Sequence, residues 1–587
     1  MLTWEVPFTK AHNGLLFGAR WFEDGKLNAC YNAVDRHAQK NPEKVGMIYS
    51  GNDGEVMVFT YKQILGRVCE VAAVLRSLGL EKGDCATIYL PMSPEACFSA
   101  LACARLGVIH NVVFGGYSSE SLAKRVRDSE SKVLITCETA RRDTKSINFF
   151  GNASAAVRLL EGKSLQRILV FNSTSENLEA DVDVHYFCRE IQRDVFVECV
   201  SVEAEHPLFY LYTSGSTGKP KGIVHATAGY LLYAAMTLRT CFDFRESDVM
   251  GCTADLGWIT GHTYSMYAPL LLNGTTVIFG GSPLFPTEFR LFEMIDRHRV
   301  THLYTAPTAI RVLKKVFVQK GLGQDLISSN FDMTSLRFLG SVGEPINREA
   351  YEWFSAAFGK GESAHNRHVL PDRNWRVYVH AHTWAFIATK DSDENNIVEA
   401  KQGELGVLLI QGAWPGMARG IINDQERYRK SYFDKYPGFY FTGDEAFVDE
   451  KGYLWVRGRV DDVLNVSGHR FSTAEIESAV CSDASVDEAA VVGVCDSTTG
   501  QAIHIFVVCR ANVPSKEIDT SIRATLRKKI GPIANPKNII VCKSIPKTRT
   551  GKIMRRVLRG ILMKETLGDV STCANLDSIE SLRALAR

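Results

Sequence analysis

The densest group of residues able to do chemistry is Tyr212-Thr213-Ser214-Gly215-Ser216-Thr217-Gly218-Lys219-Pro220-Lys221-Gly222. Its glycines let the backbone turn tightly and present N–H groups to an anion. Its Ser and Thr hydroxyls and its lysines can hold phosphate oxygens. It is not a Walker A loop, because Pro220 stands where the second glycine is needed. A solvated Ser/Gly loop is the plain alternative, and the density of hydroxyl, glycine and lysine speaks against it. Two further charged groups stand out: the turn Arg459-Val460-Asp461-Asp462, and Lys552 in a stretch with no acidic residue from 520 to 564. That stretch also reads as a solvated face or an RNA-binding patch. Asp444 alone is no more than a Gly-Asp turn.

A phosphate loop needs a scaffold, and the flanking patterns supply one. Residues 61–80 carry apolar side chains at helical spacing, 85–90 are strand-like, 94–106 helix-like and 133–136 strand-like. This rhythm runs past a strand at 208–212 to about residue 390 and predicts an α/β domain with a largely parallel sheet. Short strands at 403–409, 438–441 and 452–456 predict a small β-rich layer. Beyond the charged turn, helical patterns at 472–480 and 518–530 alternate with strands at 488–494 and 503–509. A domain boundary is expected at Asp461, giving domains 1–460 and 461–587. The uncharged run 256–286 is too interrupted by Gly257, Gly261, Pro269 and Gly274 for a bilayer span. It is expected to form strands and turns inside a large core.

Composition bounds the function. The 587 residues carry a net charge of +2, which argues against nucleic acid or an anionic membrane as the main partner. A hydrophobic fraction of 45% excludes a mainly disordered chain. The 15 cysteines form no CxxC pair, so reduced thiols in a cytosol-like compartment are expected, with neither a disulfide framework nor a cysteine metal cluster. The start MLTWEVPFTK lacks a signal-peptide pattern and is not Arg/Ser-rich. The end Leu585-Ala586-Arg587 is not a peroxisomal signal. A cytoplasmic protein is expected, a mitochondrial one being the alternative; nothing indicates an oligomeric state.

The loop resembles the phosphate-binding loop of the adenylate-forming enzymes, which include acyl-coenzyme A synthetases, luciferases and peptide-synthetase adenylation domains. Tyr440-Phe441-Thr442-Gly443-Asp444 is similar to their ribose-binding segment. Gly458-Arg459-Val460-Asp461-Asp462-Val463-Leu464-Asn465-Val466-Ser467-Gly468-His469-Arg470 resembles their hinge, and Pro546-Lys547-Thr548-Arg549-Thr550-Gly551-Lys552 their C-terminal lysine loop. Four other stretches resemble the acetyl-coenzyme A synthetases in particular. They are Trp21-Phe22-Glu23-Asp24-Gly25-Lys26-Leu27-Asn28, Ala254-Asp255-Leu256-Gly257-Trp258-Ile259-Thr260-Gly261-His262, Gly340-Ser341-Val342-Gly343-Glu344-Pro345-Ile346 and Trp414-Pro415-Gly416-Met417-Ala418-Arg419.

The resemblance implies the adenylate-forming enzyme fold: a large α/β N-terminal domain of parallel βα sheets plus a small β layer, and a mobile α+β C-terminal domain. It implies that Thr213, Ser214, Gly215, Ser216, Thr217, Gly218, Lys219 and Lys221 hold the ATP phosphates. Gly343, Glu344 and Pro345 would line the adenine, Asp444 the ribose hydroxyls, and Arg459 and Arg470 the ribose or phosphates. Lys552, Thr213 and Glu344 would be the catalytic set, the Lys552 ammonium offsetting charge on the α-phosphorus. Ile259, Thr260 and Val342 would floor the acid pocket. Gly115, Gly116, Arg142 and Lys145 would touch coenzyme A, Lys145 replacing an arginine of the pattern. Ser467 and Gly468 would face the thiol channel and Asp461 would be the hinge. Cys481, Asp483 and Val486 occupy the place of a structural magnesium site, with Asp483 where histidine is usual.

The implied reaction has two steps. A carboxylate attacks the α-phosphorus of Mg-ATP, giving acyl-adenylate and pyrophosphate; coenzyme A thiolate then displaces AMP. Between steps the C-terminal domain turns about Asp461, a hinge motion. The implied substrates are acetate, ATP with Mg²⁺ and coenzyme A, with neither nucleic acid nor membrane as partner. The rivals are a propionate or other short-chain acid ligase and an inactive paralogue that binds nucleotide or protein.

One family motif is missing. After Gly359-Lys360-Gly361 the family reads roughly Pro-Ile-Val-Asp-Thr-Tyr-Trp-Gln-Thr-Glu-Thr-Gly-Gly, whose glutamate helps hold Mg-ATP and whose aromatics bound the pockets. Residues 362–390 contain no such motif, and a stretch that normally follows is absent before Asp391. A metal site of His365, His368, His380 and His382 finds no periodic scaffold. Read one base later, however, permitted codons for residues 364–384 spell Pro-Ile-Ile-Asp-Thr-Tyr-x-Gln-Thr-Glu-Thr-Gly-Gly-Tyr-Met-x-Thr-Pro-Thr-Pro-Gly. Trp375 and Trp384 have single codons, and their shifted triplets encode the glycines expected there. The segment is therefore predicted to be a frameshifted translation or a mis-called splice. The x after Thr-Tyr is TNC, hence Phe, Ser, Tyr or Cys and never Trp, which implies an acid pocket open to more than acetate. If the segment is genuine, weak or absent ligase activity is expected.

Overall fold

A computed structural model describes residues 1–160, 165–175, 177–213, 220–343, 346, 348–359, 369–370, 385–389, 397–450, 452–460, 463–466, 469–496, 500–510, 515–531, 534–548 and 551–585. The chain forms two compact units. The first comprises Met1–Thr213, Lys221–Ala385 and Gln411–Tyr440; the second comprises Ser214–Pro220, Phe386–Ile410 and Phe441–Arg587. Asp461, the expected domain boundary, lies outside the described residues. Strands Ala385–Ala388, Gly406–Gln411, Phe439–Val448 and Leu454–Arg459 pair in one sheet, so most of the small β layer groups with the C-terminal segment.

The first unit is α/β, as the alternating patterns require. Helix Tyr61–Ser77 starts at a capping box, Thr60 accepting from Gln63 N while the Gln63 side chain accepts from Thr60 N. Helix Pro94–Leu106 opens with proline in its first turn and stops at Gly107, whose φ of 68° no other residue type adopts as easily. Such helices cross between parallel strands. One sheet runs Asp183–Tyr186, Arg167–Phe171, Val133–Cys137, Cys85–Tyr89, Ile109–Val112, Pro207–Thr213, Lys221–Ala226, Gly420–Ile421 in spatial order, the last two joining antiparallel. The other runs Val369–Leu370, Phe338–Ser341, His302–Thr305, Val249–Cys252, Thr275–Phe279, Val45–Ser50, Val56–Thr60, antiparallel only at its last pair. Central strands such as Val133–Cys137 are buried throughout, as a sheet covered on both faces demands.

The run 256–286 departs from expectation. It holds a π-helix at Gly261–Tyr267, continuing as α-helix Ala268–Leu271, before strand Thr275–Phe279. Every residue of these two helical pieces is buried, so no polar face exists to set a 3.6-residue contrast in the sequence. Pro269 sits in the first turn of the α-helical piece, where a missing N–H costs least.

The second unit packs helices on both faces of a five-stranded sheet. Ala489, Val491, Ile503, Ile505 and Val507 point to one core with helices Thr473–Cys481 and Ser515–Lys529; Ala490, Val492 and Phe506 point to the other with helices Arg555–Met563 and Leu576–Leu585. That is the two-residue strand period. Carboxylates meet four cations of the basic stretch. Arg523 pairs with Asp519 at 2.7 Å, Lys537 with Asp496 at 2.8 Å, Lys547 with Glu488 at 2.6 Å and Arg555 with Glu477 at 2.7 Å. No helix among the described residues is long and apolar enough to cross a membrane.

Candidate active site

The phosphate loop leaves strand Pro207–Thr213 and returns in strand Lys221–Ala226, with helix Thr227–Cys241 directly after. Thr213 and Lys221 are cross-strand partners and so form the two rims of the loop. Residues Ser214, Gly215, Ser216, Thr217, Gly218 and Lys219 lie outside the described residues. The Lys221 ammonium donates to Ser431 Oγ at 3.1 Å and lies 5.2 Å from the Tyr432 ring. Tyr432 in turn stacks on Tyr440 at 5.3 Å. Ser431 and Tyr432 carry no motif and sit some 210 positions along the chain from Lys221, so sequence reading had no signal for them.

The expected acid pocket gathers at the carboxyl ends of neighbouring parallel strands, where ligands of open α/β sheets bind. Strand Val249–Cys252 leads into the turn that bears Ile259 and Thr260. Its neighbour His302–Thr305 ends at Thr305, and the next, Phe338–Ser341, leads to Val342 and Gly343. Thr253 and Thr305 share a hydrogen bond of 2.6 Å, and Val342 N donates to Thr305 O at 3.0 Å, so the three strand ends are tied together. Val342 is buried; Ile259 and Thr260 are half-buried. Gly343 has φ 101°, a conformation that side chains resist. Glu344 and Pro345 lie outside the described residues.

The expected coenzyme A contacts occupy the same unit. Arg142 and Lys145 face each other across an antiparallel hairpin, both exposed. Asn52 pins that hairpin, accepting from Asp143 N at 2.7 Å and donating to Asp143 O at 3.1 Å. Arg142 lies 5.8 Å from the Phe114 ring, which begins the turn containing Gly115 and Gly116. Phe114 lies 6.1 Å from Trp258, so this turn adjoins the turn that bears Ile259 and Thr260. Asp255, within a quoted motif but without an assigned role, belongs to the same group. Burial pushes its carboxyl up to about 6 against a hydrogen bond from Gly257 N and the nearby Arg142 charge.

In the second unit Asp444 and Arg459 are cross-strand partners. Asp444 is 2% exposed, Arg459 Nη1 stands 3.9 Å from its Oδ1, and the same nitrogen donates to Thr442 O at 2.9 Å. A Cβ at Gly443 would lie 2.6 Å from Arg459 Nη2, so glycine is what lets the guanidinium close over this strand. Lys552 stands exposed at the end of a turn in which Gly551 N donates to Thr548 O and Thr548 N to Lys552 O, both at 2.8 Å. Asn575 braces the loop, accepting from Lys547 N at 3.1 Å and donating to Ile545 O at 2.9 Å. Asp461, Ser467 and Gly468 lie outside the described residues, as do the four histidines His365, His368, His380 and His382. Arg470 lies in strand His469–Ser472.

This geometry can be set beside known proteins. Residues 34–368 match the family model for AMP-binding enzymes, 475–552 that for their C-terminal domain, and 1–33 that for the acetyl-coenzyme A synthetase N-terminus. The chain is 43% identical to an acetyl-coenzyme A synthetase of Phycomyces blakesleeanus, over 98% of its own length and 88% of that protein's. Acetyl-coenzyme A synthetase 2 of Kluyveromyces lactis is 42% identical over 99% of this chain and 89% of its own. The chain belongs to the acetyl-coenzyme A synthetase family of AMP-binding enzymes. A solved acetoacetyl-CoA synthetase from Streptomyces lividans, 23% identical, superposes with a TM-score of 0.86, covering all of this chain and 90% of that one; it bears on the fold.

The structural magnesium expected at Cys481, Asp483 and Val486 finds no ready donor set here. Asp483 Oδ1 accepts from Ser485 N at 3.0 Å and Ser485 Oγ at 2.6 Å, and Oδ2 accepts from Ser521 Oγ. The Val486 carbonyl accepts from Arg510 Nε at 3.0 Å. A cation at Cys481, Asp483 and Val486 would have to displace hydroxyl donors and face a guanidinium, so no resident metal is assigned there. Magnesium enters with ATP, as part of that substrate.

Proposed function

We propose that this protein joins acetate to coenzyme A at the expense of ATP, through an acetyl-adenylate, releasing pyrophosphate and then AMP. The observation that carries the reading is the match at 43% identity to an acetyl-coenzyme A synthetase over 98% of the chain. Geometry supports it: strand ends tie the expected acid-pocket residues together, a buried carboxylate pairs with a guanidinium, and a lysine tops a braced loop. In this reading Thr213, Lys221 and the loop between them hold the phosphates, Asp444 and Arg459 hold the ribose, and Lys552 lies over the α-phosphorus during the first step. Turning of the domain 461–587 about Asp461 withdraws Lys552 for the second, and the protein works in the cytoplasm.

The test is acid-dependent pyrophosphate release with acetate, propionate and butyrate. Acetate is expected to turn over best; release without any acid, or none with any acid, overturns the reading. The second reading is a nucleotide-binding protein without ligase activity. It is favoured by one observation, the lack of the Gln-Thr-Glu-Thr motif in residues 362–390. ATP binding without acid-dependent pyrophosphate release is its signature.

A further inference from the structure

We propose that Asp255 is the base that takes the thiol proton of coenzyme A in the acyl-transfer step, an inference that rests on the ligase reading above. Asp255 opens the turn that bears Ile259 and Thr260. Trp258 N donates to Asp255 O at 3.0 Å and His262 N to Trp258 O at 3.0 Å. Gly261 packs so closely that a Cβ there would lie 2.0 Å from Asp255 O. The carboxylate and the expected acid-pocket residues are therefore parts of one tight turn.

On its other side the same residue meets the expected coenzyme A contacts. A Cβ at Gly257 would lie 3.0 Å from Phe114 N and Cα and 3.1 Å from Asp255 Oδ1, so the Phe114 backbone and the carboxylate flank one glycine. Phe114 begins the turn of Gly115 and Gly116, and Arg142 is close enough to act on Asp255 electrostatically. In this proposal a pantetheine arm that joins a nucleotide held at Arg142 to an acyl group held at Thr260 runs past this carboxylate.

The two oxygens have different duties. Oδ1 accepts from Gly257 N at 2.7 Å, which fixes the side chain. Oδ2 accepts no hydrogen bond from a described residue, and Asp255 as a whole is half-buried. The charged and titratable groups that face it are Arg142 from strand Thr139–Arg142 and the Cys97 thiol from helix Pro94–Leu106, the latter pushed up by burial and so neutral. A carboxyl titrating at about 6 is ionised at neutral pH yet more basic than an ordinary aspartate, which suits a general base. In the step, the S–H bond breaks and its proton goes to Oδ2. The sulfur electron pair forms the bond to the acyl carbon. The bond from that carbon to the phosphate oxygen breaks, and its pair leaves on AMP. The carboxyl then returns its proton to solvent.

The experiment uses the full chain expressed from its sequenced transcript, with two readouts: acetate-dependent ATP–pyrophosphate exchange, and single-turnover transfer from supplied acetyl-adenylate to coenzyme A. Asp255→Asn keeps the oxygen that caps Gly257 N. Transfer is expected to fall about 100-fold further than exchange does. The wild-type transfer rate is expected to rise through a limb near pH 6 that the variant lacks. Parallel loss of both reactions, or transfer by the variant with the wild-type pH limb, overturns the proposal. Should the variant not fold, the wild-type profile decides alone: a rate that rises only with thiol ionisation, above about pH 8, also overturns it. A wild-type chain that neither exchanges nor transfers overturns the ligase reading and this inference with it.

Discussion

Lys552 combines an exposed side chain with a backbone held on both sides by hydrogen bonds. Rigid support under an exposed ammonium suits its proposed task of meeting charge that develops on phosphorus. Lys552→Ala is expected to lower acetate-dependent ATP–pyrophosphate exchange by about 10²- to 10³-fold, the range for loss of one preorganised electrostatic partner. Equal exchange by variant and parent would refute its role. Arg105 belongs to stability instead. It is fully buried and pairs with Asp35 at 2.8 Å, joining helix Pro94–Leu106 to the N-terminal segment. Arg105→Met leaves the Asp35 carboxylate buried without its cation and is expected to cost about 3–5 kcal/mol, read from urea unfolding. No motif marked this pair, because nothing local says that two residues 70 apart will share one buried space.

The turn and π-helix over 255–267 show how an element can serve a site. Gly261 lets the chain fold back on Asp255 O, and Gly261→Ala forces that backbone apart. The expected result is a loss of about 1–3 kcal/mol in stability and a higher KM for acetate, measured side by side. The same helix places His262 flat against His110 with ring centroids 5.5 Å apart, both rings fully buried. Burial keeps both neutral, His262 titrating at about 4 and His110 well below its ordinary value. The unfolded chain takes up these protons near pH 6.5, so it binds more protons than the native state below that point. Stability should therefore fall as pH drops from about 6.5 toward 4, by about 1.4 kcal/mol per pH unit for each histidine. Urea midpoints that stay level from pH 7 to pH 5 would contradict this. The sequence announced the motif but not the helix, since a wholly buried segment carries no amphipathic pattern to read.

For the whole molecule, the prediction that matters most concerns the gene. The match to the AMP-binding family model ends at residue 368, within the stretch 364–384 whose shifted reading restores the missing motif. Sequencing the transcript across codons 355 to 400 is expected to reveal a frame change or a splice junction. An uninterrupted message encoding the residues as they stand refutes the idea and favours the inactive reading. With the motif restored, the enzyme is expected to release pyrophosphate with acetate, and the chain without it to do so weakly or not at all.

Much of the local order was legible, because phosphate loops and alternating strands are written in consecutive residues. The βα rhythm, the strand–loop–strand around the phosphate loop and the two-residue period of Ala489 to Val492 all follow from neighbours in the chain. Tertiary structure alone placed Ser431 beside Lys221, Asp35 beside Arg105 and the carboxylate of Asp255 beside Phe114. It also grouped 386–410 with the C-terminal segment. These are encounters between distant residues, and their energies come from burial and charge in a shared space that exists only after the chain has folded.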